Sequence, residues 1–209
     1  METRKISIIV GSLRKGSLNR QLAQHAARFL EEQGAAVEWL EYSDLPYMNQ
    51  DIEYPAPAAV ARVRQQVAQA QGLWFFVPEY NHGIPGPLKN LLDWLSRPVS
   101  QGQAPVLRGK WAAMSGAGGS SGTVCAQDQL LTLLHILGMQ VSQGARTAVV
   151  LDRQAFTTDQ LSLSEKDLAK LQSQAVAFWE EVCRWWMRPC SVFWPACAWK
   201  TPRNCTQNG

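Results

Sequence analysis

Short apolar runs alternate along the chain with longer stretches in which apolar residues recur every third or fourth position. Lys5–Val10 (KISIIV) is β-branched and apolar and stops at Gly11, the pattern of a strand covered on both faces. Ser17–Gln33 sets Leu18, Leu22, Ala26, Phe29 and Leu30 at helical spacing, with Gly34 as the stop. Val37–Tyr42 predicts a second strand. A proline-containing loop over 45–57 follows, then a helix over Ala58–Gln71 with Val60, Val63 and Val67 on one face. Leu73–Val77 (LWFFV) is the most strand-like run and ends at Pro78. Then come a short helix over Pro87–Leu95, a strand over Lys110–Ser115 and a helix over Thr123–Leu137. A fifth strand covers Ala145–Leu151, and Ser164-Glu165-Lys166-Asp167 resembles a capping box that opens a helix running to Trp186.

This alternation predicts an α/β fold, a parallel sheet with helices on both faces. Five strands in roughly 150 residues match the flavodoxin-like, doubly wound plan with order 2-1-3-4-5. Residues 1–187 read as one domain without internal repeats, and residues 188–209 as an irregular tail rich in Trp, Cys and Pro. In such a sheet, ligands bind beyond the carboxyl ends of the strands where the order reverses, here between strands 1 and 3. The loops after strands 1, 3 and 4 therefore carry the chemistry.

The first loop, Gly11–Asn19, is polar, flanked by glycine and feeds a helix start. A helix N-terminus attracts anions, and Ser12, Arg14, Ser17 and Asn19 offer further donors. Its glycines fit neither the P-loop nor the Gly-x-Gly-x-x-Gly pattern. The loop alone suits two readings, a phosphate cradle or a helix start capped by Ser17 with Arg14 in solvent. The second loop, Pro78–Pro87, is dense in Pro and Gly, which fixes its backbone path. It could hold N–H groups against the edge of a flat ring, with Tyr80 lining or stacking on the ring and Asn81 bracing the turn. Glu79 offers its backbone, while its carboxylate suits a loop cap. His82 reads more readily as a surface residue than as an acid or base. The third stretch, Ser115–Gly122, contains glycines that allow close approach of backbone to ligand, or else form a flexible connector.

Composition narrows the classes. Apolar residues make up 46% and charged residues 18%, enough for a real core. No apolar run reaches the roughly 18–20 residues of a membrane span. The opening residues, Met1–Lys5, lack a signal-peptide pattern, so the expected location is cytoplasmic. The net charge of +3 resides in Arg188, Lys200 and Arg203; the remainder carries 17 basic and 17 acidic residues, without an electrostatic footprint for nucleic acid. The five cysteines show no C-x-x-C pair and read as free thiols, and no metal ligand set is evident.

Two motifs together resemble the NADPH-dependent FMN reductase family, which includes quinone, chromate and azo-dye reductases. They are Gly11-Ser12-x-Arg14-x-x-Ser17-x-Asn19 and Pro78-Glu79-Tyr80-Asn81-x-Gly83-Ile84-Pro85-Gly86, the latter continuing through Leu88-Lys89-Asn90 to Asp93-Trp94. The resemblance spans residues 4–186. It implies that Ser12, Arg14, Ser17 and Asn19 hold the FMN phosphate, that Pro78, Glu79, Tyr80 and Asn81 border the isoalloxazine, and that Ser115 and Gly118 close another side. It further implies hydride transfer from NADPH or NADH through FMN to a small-molecule acceptor such as a quinone, free flavin or azo compound. No protein nucleophile is needed. Family members form homodimers or homotetramers, which makes Trp94 and Leu95 interface candidates. A flavodoxin-type electron carrier and a flavin-binding redox sensor are the competing classes, and the neutral body of the chain disfavours the acidic carrier. The tail departs from the family pattern and reads first as a variant C-terminus that packs poorly, with a partner- or membrane-docking segment as its second reading.

Overall fold

The computed structural model describes residues 4–100 and 102–187. Strands β1 (Lys5–Val10), β2 (Ala36–Trp39), β3 (Gly72–Phe76) and β4 (Trp111–Gly118) form a parallel sheet in the order β2-β1-β3-β4. Two further strands share the position beyond β4. β5 (Gln140–Val141) pairs with its first residues, and β6 (Thr147–Val150) pairs with Ser115–Gly118. The expected order 2-1-3-4-5 is present, with the fifth position divided between two segments.

Alternation along β3 explains how the helices are distributed. Leu73, Phe75 and Val77 enter one buried cluster with Val63 and Val67 of α2 (Ala58–Gln69), Leu88 and Leu91 of α3 (Gly86–Leu95), and Leu130 and Leu134 of α4 (Val124–Ile136). Trp74 and Phe76 face the other way, toward Leu22, Ala26 and Leu30 of α1 (Leu18–Glu32) and Leu171, Ala175 and Phe178 of α6 (Glu165–Met187). A strand buried on both faces needs a continuous apolar run, which is what the LWFFV segment supplies. Trp74 stacks on Phe76 at 5.4 Å between ring centroids and meets Phe178 edge-on at 5.6 Å.

Several boundaries differ from the sequence reading. The second strand ends at Trp39, and Tyr42 leaves the sheet so that its hydroxyl donates to the Val10 carbonyl at 2.7 Å. β4 continues through Gly118, so Ser115 and Gly118 lie in a strand and not in a loop. A short helix, α5 (Arg153–Thr158), intervenes before α6, capped by the Asp152 side chain. Trp94 and Leu95 are buried within the chain, with Trp94 donating to the Pro46 carbonyl, so their side chains are core and not an interface. Cys125 and Cys183 are free thiols, as expected. Among the described residues, no helix is long and apolar enough to cross a membrane. The expectation for residues 188–209 lies outside the described residues.

Candidate functional site

The loops after β1, β3 and β4 converge at the carboxyl end of the sheet. Gly11 N–H donates to the Phe76 carbonyl, and Val77 N–H to that of Ser115, so the three strand ends are zipped together. Gly11 leaves little room for a side chain, because a Cβ there would lie 3.0 Å from Pro78 Cδ. That contact brings the first two loops together.

The first loop enters α1 through Ser17, whose hydroxyl accepts the Arg20 N–H at 3.1 Å. Ser17 is therefore the N-cap, as one of the two sequence readings requires. Capping does not close the helix end, since the N–H groups of Leu18 and Asn19 in the first turn have no intrahelical acceptor. Ser12 is half-buried, whereas Leu13, Arg14 and Lys15 are exposed. The Arg14 guanidinium pairs with Asp159 at 2.6 Å, and both side chains are nearly half exposed. An exposed pair of this kind contributes about 0–1 kcal/mol, so a dianionic ligand can take Asp159's place. Asn19 plays a different part from the one expected. Buried, it donates to the Ala117 carbonyl at 2.8 Å and accepts the Ala117 N–H at 3.0 Å. Its amide is committed to bracing α1 against β4 and leaves its own backbone N–H for an anion.

The second loop is built around a tight turn. Tyr80 and Gly83 exchange backbone hydrogen bonds at 3.2 and 3.0 Å, and Asn81 and His82 between them have φ of 51° and 59°. Two left-handed central residues define a type I′ turn, which asparagine tolerates well. Tyr80 is 57% exposed and stands open to a ligand. Glu79 points the other way. Its carboxylate accepts from Ser121 Oγ at 2.5 Å and from the Ala126 N–H at 2.9 Å. Thr123, the N-cap of α4, has left-handed φ and makes no side-chain cap bond, so Glu79 caps that helix from another loop. Burial alone would push the Glu79 carboxyl upward; the bonds from Ser121 and Ala126, with His82 nearby, hold it below the usual glutamate range. Asn90 of α3 fastens the 45–57 loop alongside by accepting the Met48 N–H and donating to the Pro46 carbonyl.

The third stretch is more rigid than its glycines suggest. Ser115 is fully buried, accepting from Trp74 Nε1 and donating to Gln174 Oε1. Its side chain is thus a core bridge between β3 and α6. A Cβ on Gly118 would approach Thr123 Cγ2 to 2.7 Å, so the missing side chain makes room for the chain to fold back into α4. Gly119 is free of such crowding and is the glycine of this stretch that leaves open space.

The site therefore combines a helix start flanked by Ser12 and Arg14 with a stiff loop edge carrying Tyr80. The first suits a phosphate, the second the rim of a planar ring. Sequence reading missed Asp159, Ser121 and Gln129, whose amide donates to the His82 carbonyl at 2.8 Å. Asp159 and Gln129 stand in no motif, and Ser121 lies in the third stretch without a sign of its bond to Glu79; the fold brings each to its partner.

Comparison with known proteins bears on these features. The chain is 36% identical over 179 residues to an NAD(P)H-dependent FMN reductase of Pseudomonas aeruginosa, covering 84% of this chain and 94% of that one. It is 42% identical over 127 residues to a 2-hydroxy-1,4-benzoquinone reductase of a Burkholderia species, covering 60% of this chain and 67% of that one. Its fold superposes on the flavoenzyme NAD(P)H:(acceptor) oxidoreductase of Paracoccus denitrificans with a TM-score of 0.77 and 30% identity, over 87% of this chain and 98% of the other. The model of the family described as NADPH-dependent FMN reductase matches residues 4–153, the span that holds all three loops, and the chain belongs to that family.

Proposed function

We propose that this protein is a flavin-dependent reductase that takes hydride from NADPH or NADH and delivers electrons to a small acceptor of the quinone class. FMN is the cofactor; when bound, it supplies the two-electron carrier between nicotinamide and acceptor. The observation that carries this reading is the junction of an open helix N-terminus at Gly11–Asn19 with the braced edge at Pro78–Gly83. The residues fit the cofactor at both ends. Ser12 Oγ, the Arg14 guanidinium and the N–H groups at the start of α1 bind the phosphate. Backbone groups of Pro78–Asn81 border the ring, and Tyr80 covers it.

The protein's contribution is position and exclusion of water. Glu79 and Asn19 lock the loop edges through bonds to α4 and β4, so the ring's seat does not need to reorganise during turnover. Gly118 belongs to that framework as a site of close approach, and Ser115 supports it from below. Location in the cytoplasm and assembly as a homodimer or homotetramer complete the proposal. The exposed Tyr47, Ile52 and Tyr54, on the loop beside the site, replace Trp94 and Leu95 as interface candidates.

The absorbance spectrum of the purified protein tests the shared premise. The expected result is a flavin spectrum with one FMN per chain, recovered on denaturation. A protein that neither carries flavin nor binds added FMN overturns the proposal.

A further inference from the structure

Three chemically different donors meet at the rim of the proposed flavin cleft. Glu79, His82 and Cys125 each present a ligand atom within 4.8 Å of the other two. The turn supplies the first two; the first turn of α4 supplies the third. His82 Nδ1 already lies 3.4 Å from Glu79 Oε1. Sequence spacing gives no sign of the group, because the thiol comes from a separate segment.

We propose that Glu79, His82 and Cys125 form a binding site for a divalent cation of the zinc class. One carboxylate, one imidazole and one thiolate are a donor set for a borderline-soft ion; Mg²⁺ and Ca²⁺ take oxygen ligands only. Tetrahedral zinc holds its ligand atoms roughly 3–4 Å apart; the Glu79–His82 pair at 3.4 Å already meets that, and the other separations, none above 4.8 Å, need to close by no more than about 1–2 Å. His82 provides that movement. Its side chain is 79% exposed on a turn, whereas the Glu79 side chain is only 8% exposed. The fixed part is already braced as metal ligands are. Ser121 and the Ala126 N–H orient the Glu79 carboxylate, and Gln129 holds the His82 carbonyl. The carboxylate keeps lone pairs for an ion, since two hydrogen bonds do not exhaust its four acceptor sites. On binding, the Cys125 S–H bond breaks, a sulfur–metal bond forms, and the proton passes to solvent. The fourth position stays open toward water. An ion held there clasps the turn that carries Tyr80 to the start of α4.

The site is independent of flavin loading, although its placement at the rim rests on the flavin reading. The test is a zinc titration of the full chain, flavin-free and FMN-loaded, in competition with a chromogenic chelator. Cys125→Ser, His82→Gln and Cys183→Ser are titrated alongside. Cys125→Ser and His82→Gln are expected to lose one equivalent of zinc, or to bind it at least about 10–100-fold more weakly, the loss typical of removing even an outer-shell partner. Cys183→Ser is expected to match the parent, and metal held by other thiols cancels in the comparison. Cobalt gives a second readout, a thiolate charge-transfer band that Cys125→Ser abolishes. Parent-like zinc binding in both Cys125→Ser and His82→Gln, or no binding by the parent, overturns the proposal. Circular dichroism confirms that the variants fold. A chain that takes up no added FMN yet binds zinc at this cluster refutes the flavin reading alone.

Discussion

At the residue scale, the first loop shows how one residue type can fill two roles. Ser17 caps α1, yet the helix start still has N–H groups to offer, so capping and anion binding coexist. Arg14 carries the most direct prediction. Arg14→Ala removes a charge-assisted contact to phosphate, typically about 1.5–3 kcal/mol, and is expected to weaken FMN binding roughly tenfold or more. Because its pair with Asp159 is exposed, the stability of the flavin-free protein should stay near parental. Fluorescence titration with FMN, alongside denaturation of the flavin-free protein, separates the two effects. A parental flavin affinity would remove Arg14 from the phosphate site. The residue types of the site were legible in sequence, but side-chain direction was not. Asn19 stands where expected but points its side chain into β4, whereas the Glu79 carboxylate, which reads as a loop cap in the sequence, does act as a cap, on α4. Only the fold brings Ala117 and Ala126 within their reach.

At the element scale, the long strands and helices were legible because their apolar periods extend over several residues. The two-residue β5 is too short to show a period, and the six-residue α5 barely completes a turn and a half. Gly116 and Gly118 read as a loop because they lack side chains. In the fold the same lack lets Thr123 cross over β4 while the strand continues. Gly72, at the start of β3, plays a comparable part beneath α6. A Cβ there would lie 2.8 Å from Phe178 Cζ and 3.0 Å from Val182 Cγ2, both fully buried. Gly72→Ala is therefore expected to cost about 1–3 kcal/mol by overpacking, read as a lower midpoint in chemical denaturation. An unchanged midpoint would mean that α6 yields easily at this contact.

At the scale of the whole molecule, loops around the sheet are fastened by buried charge as well as by apolar packing. Glu53, on the 45–57 loop, is buried and takes two hydrogen bonds from Arg97, at 2.8 and 3.1 Å. Those bonds hold its carboxyl below the usual glutamate range, as neighbouring hydrogen bonds do for Glu79. A carboxyl whose pKa is lower in the folded chain binds fewer protons there than when unfolded. Its stabilisation is complete above the unfolded pKa and disappears as pH falls through the folded one. Stability should therefore decline as pH falls below about 5, and less steeply in Glu53→Gln. Denaturation midpoints across that range provide the check, and equal slopes would exclude Glu53 as a contributor.

On the proposed function, the converging loops make a flavin site open to nicotinamide. Family membership and site geometry both point to an enzyme, whereas an electron carrier or a sensor needs no nicotinamide seat. Anaerobic mixing of the FMN-loaded protein with NADPH or NADH distinguishes them. The expected result is rapid bleaching of the flavin absorbance and its return on adding a quinone. Flavin that stays oxidised at millimolar concentrations of both nucleotides would contradict it.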